Sequence, residues 1–381
     1  MGPLLSFWEH DVFLPPQDAI VLGGGIVGLN AALTLKEQNP AMKVAVVERG
    51  PLPLGASTRN AGFACFGSMT ELLDDLQHNT PDEVFALVER RWKGLLRLRQ
   101  RIPDAAMDYQ TLGGFELFRD DDMQSYHQCL ENLEYINREL IGRVGAAQVF
   151  RQADDRIATF GFQEVQHLIW NGLEGQLHPG KMMQGLLKLC REAGVELWFG
   201  LPVDRIDPLE KGMVTLTTQQ GWQLKARRLL IATNGFAKRL APELDLTPAR
   251  NQVMITTPIP GLPVSGCFHY DRGYYYFRNV GDRLLVGGGR HLDREGESTD
   301  RFGHSPLVQK NLLELTRNVL LPHVRWEPES WWSGILGIGP QKRPIIKMIA
   351  PGIGVSVRLG GMGVAIGSLV GEEGAQLLLE N

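Results

Sequence analysis

The sequence predicts an α/β protein, with a parallel, helix-flanked sheet in a discontinuous first domain and an antiparallel sheet in a second. Three observations carry this. Residues 18–50 read as strand, glycine-rich turn, helix and strand, closed by an acid. Leu229 to Ile231 form another apolar strand, running into Ala232-Thr-Asn-Gly235. The stretches Pro248 to Pro258 and His269 to Gly289 are strand-rich and carry no nucleotide motif.

The first unit is the most specific. Ala19 to Leu22 is a short apolar run that enters Gly23-x-Gly25-x-x-Gly28. A helix follows with Ile26, Leu29 and Leu33 on one stripe. Val44 to Val47 is a second β-branched run, and Glu48 stands 20 residues beyond Gly28. That is the Rossmann-type dinucleotide-binding βαβ unit. Gly23 permits the tight turn, Gly25 lets a pyrophosphate approach the backbone, and Gly28 lets helix and strand pack closely. The helix N-terminus offers N–H groups and partial positive charge to phosphates. Glu48 can accept hydrogen bonds from ribose hydroxyls and would repel a 2′-phosphate, which disfavours NADP. The candidate cofactor residues here are Gly23, Gly25, Ile26, Val27, Gly28, Glu48 and Arg49. The competing reading is a glycine-rich loop of an unrelated α/β domain.

Bulk properties bound the rest. With 381 residues, and about 150 per domain, two or three domains are expected. Lys plus Arg number 39 and Asp plus Glu 43, a net charge of −4 that argues against a nucleic-acid partner. Cys65, Cys129, Cys190 and Cys267 form no CxxC pair. A disulfide framework or a metal site is therefore not expected, and a reducing, cytoplasmic setting is. No run of about 18 apolar residues suggests a membrane span. Met1 to Phe13 lacks the pattern of a secretory signal.

Leu72 to Arg101 reads helical, with Thr80 as an N-cap and Pro81 at the first helical position. Its arginine-rich end is expected to be a solvated face. Gly113 to Phe118 is a strand, and Met123 to Arg138 a helix. Lys181 to Ala193 is an amphipathic helix ended by Gly194, followed by the strand Val195 to Phe199. Just before it, His178 reads as structural. Met213 to Thr218 and Trp222 to Ala226 suggest a hairpin around Gly221. Strand alternation puts Tyr274 and Tyr276 on one face and Tyr275 and Phe277 on the other. Gly360-Gly361-Met362-Gly363 then opens an apolar helix beginning at Val364, a second anion-favouring helix N-terminus.

Gly55-Ala-Ser-Thr-Arg-Asn-Ala-Gly62, after the second strand, resembles the equivalent loop in the D-amino acid oxidase family of FAD oxidoreductases. "HPGKMMQGL", the tyrosine strand with RLLVGGG, Trp331-Trp332-x-Gly334 and the C-terminal glycine turn are similar to that family in the same order. The resemblance implies non-covalently bound FAD lying along Ser57, Thr58, Arg59, Asn60, Ala61 and Gly62. It also implies adenine against the Val203 backbone and cofactor contacts at Ala232, Asn234, Gly235 and Gly334. Gly360, Gly361, Met362, Gly363 and Val364 would face the flavin pyrimidine.

The implied domains are an FAD-binding domain at 1–79, 149–236 and 334–381, and a substrate domain at 80–148 and 237–333. The implied reaction is oxidation of the C–N bond of an amine or amino acid, a small-molecule substrate, with oxygen or a quinone as electron acceptor. An FAD-dependent 2-hydroxy-acid dehydrogenase passing electrons to a quinone is the alternative. An NAD-dependent dehydrogenase would leave the RNAG loop and C-terminal glycine turn unexplained, and a non-catalytic nucleotide-binding module is the alternative of another class.

No general base stands out, and the substrate-facing candidates are Tyr274, Tyr276 and Arg278. The sequence departs from its relatives where Gln341 replaces an aspartate three residues before Pro344. It departs again at Leu336 and Gly361, where relatives of the glycine oxidase type carry carboxylate-binding arginines. Lys342 and Arg343 are the other candidate anchors. Trp331 and Trp332, with the tyrosine strand, suggest a pocket for an extended or apolar amine.

Overall fold

The computed structural model describes residues 4–146, 148–210 and 212–381. The N-terminal reading, which starts at Met1, lies partly outside the described residues. Two eight-stranded sheets organise the chain. The first runs Ile345–Ala350, Ile353–Val357, Gln223–Ile231, Gln17–Leu22, Val44–Glu48 and Glu196–Phe199, with Val203–Glu210 and Met213–Thr218 branching from it. Its central pairs are parallel. Ala19 to Leu22 and Val44 to Val47 are therefore buried on both faces, which is why they read as unbroken apolar runs.

The helix Ile26–Gln38 differs from the one-sided stripe expected of it. Every residue from Ile26 to Leu35 is buried. The sheet covers one side, and the C-terminal helix Gly363–Glu380 packs on it so closely that a Cβ on Gly371 would meet the Val27 carbonyl at 2.5 Å. The arginine-rich helix Pro81–Arg101 packs there too, and its far end is not a solvated face. Arg101 and Arg97 pair with Glu37 and Glu372, and Arg90 pairs with Glu373. Arg91 is buried and donates to the Phe66 carbonyl. The helix thus clamps the first and last helices of the nucleotide unit together. The preceding helical turns form a separate helix, Met69–His78, because Thr80 caps and Pro81 starts the next one.

The second sheet runs Pro328–Ile338, Thr247–Thr256, Arg283–Gly288, Tyr275–Val280, Cys267–Tyr270, Gly114–Phe118, His167–Asn171 and Phe150–Gln152. Phe150–Gln152 and His167–Asn171, which the expected boundaries assign to the first domain, pair into this sheet. Gly334 to Ile338 do as well. These short strands are placed by partners distant in sequence, not by local pattern. We therefore propose to draw the domain division by sheet membership. The expected hairpin around Gly221 forms, but its second strand does not stop at Ala226: Gln223–Ile231 is one strand, pairing antiparallel with Met213–Thr218 and parallel with Gln17–Leu22.

Candidate active site

A cleft of about 380 Å³ runs across the carboxyl ends of the parallel strands, lined by Leu22, Gly23, Glu48, Ala232 and Leu359 among others. This is where open α/β sheets bind ligands. Gly23 has φ +117°, and a side chain there would collide with the Ala232 carbonyl at 2.7 Å. Gly25 caps the first helix with no side chain, and a Cβ would sit 2.9 Å from Ser57 Oγ. Ser57 Oγ itself accepts from the Ile26 N–H at 2.9 Å, tying the RNAG loop to the phosphate-side turn.

The buried Glu48 carboxylate accepts from the Gly24 N–H at 2.9 Å and from the Gly50 N–H at 3.1 Å. Each oxygen keeps a free lone pair, so a ribose hydroxyl can still donate to it. Arg49 stacks over the Phe236 ring at 3.7 Å, and Val27 and Val203 line the same cleft.

A second chamber of about 270 Å³ adjoins the first. Ala56, Asn60, Leu336, Gly361 and Val364 border both. Gly334, Gly360, Met362, Arg59 and Ala61 line the second. The N-terminus of the helix Gly363–Glu380 therefore stands at the junction. Tyr274 and Tyr276 face the second chamber, while Tyr275 and Phe277 pack into the core on the opposite face of the sheet. Burial pushes the Tyr276 phenol well above its ordinary pKa, so its oxygen, which accepts from Asn251 Nδ2 at 3.1 Å, stays protonated.

Other expected site residues shape the walls. Thr58 Oγ1 donates to the Pro53 and Gly55 carbonyls and borders neither chamber. Asn60 holds the loop through the Ala56 and Ser57 carbonyls and the Gly62 N–H. Arg59 donates to the Ser333 carbonyl at 3.0 Å. Asn234 Oδ1 accepts from the Arg358 and Leu359 N–H groups, bracing the loop before the glycine turn. Gly235 packs on the Leu336 carbonyl, and Gly62 on the Leu177 carbonyl; neither borders a chamber.

The expectation for Arg278 is corrected. Its buried guanidinium donates to the Ala61, Leu177 and Asn279 carbonyls, so it fastens the RNAG loop to the second sheet instead of facing substrate. Trp332 Nε1 donates to the Arg59 carbonyl at 3.0 Å, and Trp331 packs in the second core, so neither tryptophan lines the chamber. Lys342 pairs with Asp75 and Arg343 with Glu83. His178 caps its helix, accepting from the Lys181 N–H at 3.3 Å.

The sequence reading missed a polar cluster on the chamber wall. His269 and Cys65 line it, and Cys65, Glu174 and His269 bring their side-chain polar atoms within 4.8 Å of one another. His269 Nε2 lies 2.9 Å from Glu174 Oε2, both side chains buried. Burial lowers the His269 pKa, but the charge and hydrogen bond of Glu174, with Glu71 and Glu116, more than offset this and raise it to about 9. Burial keeps the Cys65 thiol protonated. Glu116 is buried alongside, accepting from Ser68 Oγ and from Thr70. A lone histidine in a strand carries no such signal; the pair exists only through sheet register.

A bare glycine turn at a helix N-terminus, a buried acid at the end of the next strand and an adjoining polar and aromatic chamber are the features of a dinucleotide-dependent oxidoreductase. The chain belongs to the FAD dependent oxidoreductase (DAO) family, whose pattern matches residues 18–377. It is 25% identical over 378 residues to "Probable oxidoreductase OrdL" of Rhizobium meliloti, covering 95% of this chain and 83% of that protein. It is 26% identical over 288 residues to "Gamma-glutamylputrescine oxidoreductase" of Escherichia coli, covering 71% of this chain and 64% of that protein. Its fold superposes on glycine oxidase from Geobacillus kaustophilus with TM-score 0.75 at 19% identity, covering 96% and 95% of the two chains. L-proline dehydrogenase from P. horikoshii gives the same TM-score at 17% identity, covering 96% and 94%.

FAD is the cofactor of this family, and the cleft fits it. Gly23 and Gly25 leave the backbone of the turn bare at the cleft, the buried Glu48 carboxylate lines it, and a second helix N-terminus stands at the junction. No helix among the described residues is long and apolar enough to cross a membrane.

Proposed function

We propose that this enzyme oxidises the C–N bond of an amine or amino acid in the second chamber. The observation that carries this is the continuity of the two chambers at Ala56, Asn60, Leu336, Gly361 and Val364. That junction lets one end of a cofactor filling the first chamber border a substrate in the second. Bound FAD would supply the two-electron acceptor for oxidising the substrate C–N bond to an imine, which water would hydrolyse. The chain's own residues bind and orient. Tyr274, Tyr276 and Phe63 form an aromatic wall, and Leu336 closes the junction without a charge. The N-terminus of the helix Gly363–Glu380 stabilises negative charge at the junction. The names of its relatives, gamma-glutamylputrescine oxidoreductase and glycine oxidase, support a nitrogen-bearing substrate.

The buried, protonated Cys65 supports non-covalent FAD. Four free cysteines fit a cytoplasmic setting. Oxygen or a quinone serves as acceptor. Steady-state assays with secondary and longer-chain amines, glycine, D-alanine and 2-hydroxy acids test the reading. Secondary and longer-chain amines should turn over best, with an imine-derived carbonyl product. Turnover of 2-hydroxy acids alone would establish the dehydrogenase reading in its place.

A further inference from the structure

Besides His269, which is paired with Glu174, four basic side chains line the second chamber: Arg59, Arg272, Arg290 and Lys342. Three are engaged. Arg59 donates to Ser333 and lies over the Phe302 ring at 4.3 Å. Lys342 is paired with Asp75, and the half-exposed Arg272 lies 3.5 Å from Asp271 in the turn they share. Arg290 differs. It makes no hydrogen bond or ion pair among the described residues; its guanidinium lies 5.4 Å from the Tyr274 ring centroid, and its charge also reaches Tyr276 and His291. It is half-buried, just beyond the strand Arg283–Gly288, and borders only the second chamber, not the junction.

A guanidinium in a half-buried cavity, without a carboxylate of its own, is a receptor for one. Its planar fork matches a carboxylate two-pronged, and it stays charged at all working pH values. We propose that Arg290 anchors a substrate carboxylate. The group would lie at the end of the chamber away from the junction, so it is separated from the oxidised carbon by a short chain. This rests on the second chamber being the substrate site. It makes the preferred substrate an amine bearing a distal carboxylate, and it explains how the chain manages with Leu336 and Gly361 at the junction.

The test uses a matched set: 5-aminopentanoate, pentylamine, and the non-reacting pentanoate and pentanamide, with FAD-loaded enzyme. Binding of the non-reacting pair is read from flavin absorbance and from tryptophan fluorescence. Pentanoate should bind at least tenfold more tightly than pentanamide, on the scale of one charge-assisted hydrogen bond. Arg290→Gln should weaken pentanoate by roughly that factor, and Arg290→Lys should recover part of it. The kcat/KM preference for 5-aminopentanoate over pentylamine should fall in parallel.

Equal binding of pentanoate and pentanamide to the unaltered enzyme overturns the proposal without any variant. So does pentanoate binding that ignores Arg290→Gln in a variant with full flavin content. If pentanoate binds through Arg290 but no amine is oxidised, the amine-oxidising reading fails and the anion site stands. If amines are oxidised but Arg290 does not matter, only the anchor fails.

Discussion

Glu174 and His269 lie 95 residues apart in the chain and 2.9 Å apart in the fold, a buried carboxylate and imidazole joined on the wall of the second chamber. His269 stands directly opposite Tyr276 in the antiparallel pairing of their two strands. Glu174 reaches it from the loop after His167–Asn171. Glu71, Glu116, Cys65 and Tyr276 surround the imidazole.

The pair implies a pH-dependent stability. The His269 pKa rises from its ordinary 6.5 to about 9, so the stabilisation is fully present below pH 6.5 and is lost as pH rises through about 9. Glu174→Gln should cost on the order of 3 kcal/mol at neutral pH, as expected for breaking a buried pair. Thermal melting of the FAD-loaded enzyme and variant should show that gap closing above about pH 9. A gap that stays constant across this range would mean the pair is not ionised.

Glu48 accepts two backbone N–H groups that hold the glycine turn and lines the first chamber, and the proposed ribose contact would be its second task. Glu48→Ala should weaken FAD binding by roughly one to two orders of magnitude, the loss of a charge-assisted hydrogen bond worth about 1.5–3 kcal/mol. Glu48→Gln should be nearly as damaging, because its amide NH2 would oppose the Gly24 or Gly50 N–H. Fluorescence titration of apoprotein with FAD measures both. Wild-type affinity in Glu48→Gln would show that the turn does not depend on two acceptors.

Gly94 lies outside both chambers, yet a Cβ there would meet the Ala365 carbonyl at 2.4 Å, in the first turn of the C-terminal helix. Gly94→Leu should push that helix from the junction. FAD affinity should drop at least tenfold, about 1.4 kcal/mol, while circular dichroism still shows a folded chain. Unchanged FAD binding would mean the helix position is set elsewhere.

Arg278→Ala should behave as a structural lesion. It leaves the buried Ala61 and Leu177 carbonyls without their donor, at about 1–3 kcal/mol each. The melting temperature and FAD content should fall together, with no change in the preference between carboxylated and uncharged amines among the molecules that retain FAD. A selective change in that preference would restore Arg278 to the substrate site.

What was legible in the sequence was local. Gly23, Gly25, Gly28 and Glu48 sit in one unit whose spacing carries its geometry, and the alternation of Tyr274 to Phe277 sorted the faces of their strand. What was not legible depends on partners far along the chain. Arg278 and Arg290 look alike in sequence, but one meets three carbonyls and the other none. The arginines of Pro81–Arg101 read as a wet face because their partners, Glu37, Glu372 and Glu373, lie on two other helices. Trp331 and Trp332 read as pocket walls because composition does not say which way a strand faces.

FAD bound in the first chamber should take electrons from an amine in the second. Purified enzyme should show flavin bands near roughly 370 and 450 nm. Under anaerobic conditions, an amine substrate should bleach the longer-wavelength band, and acid precipitation should release the yellow cofactor into solution. A flavin spectrum that no amine or amino acid bleaches, while a 2-hydroxy acid does, would contradict the account.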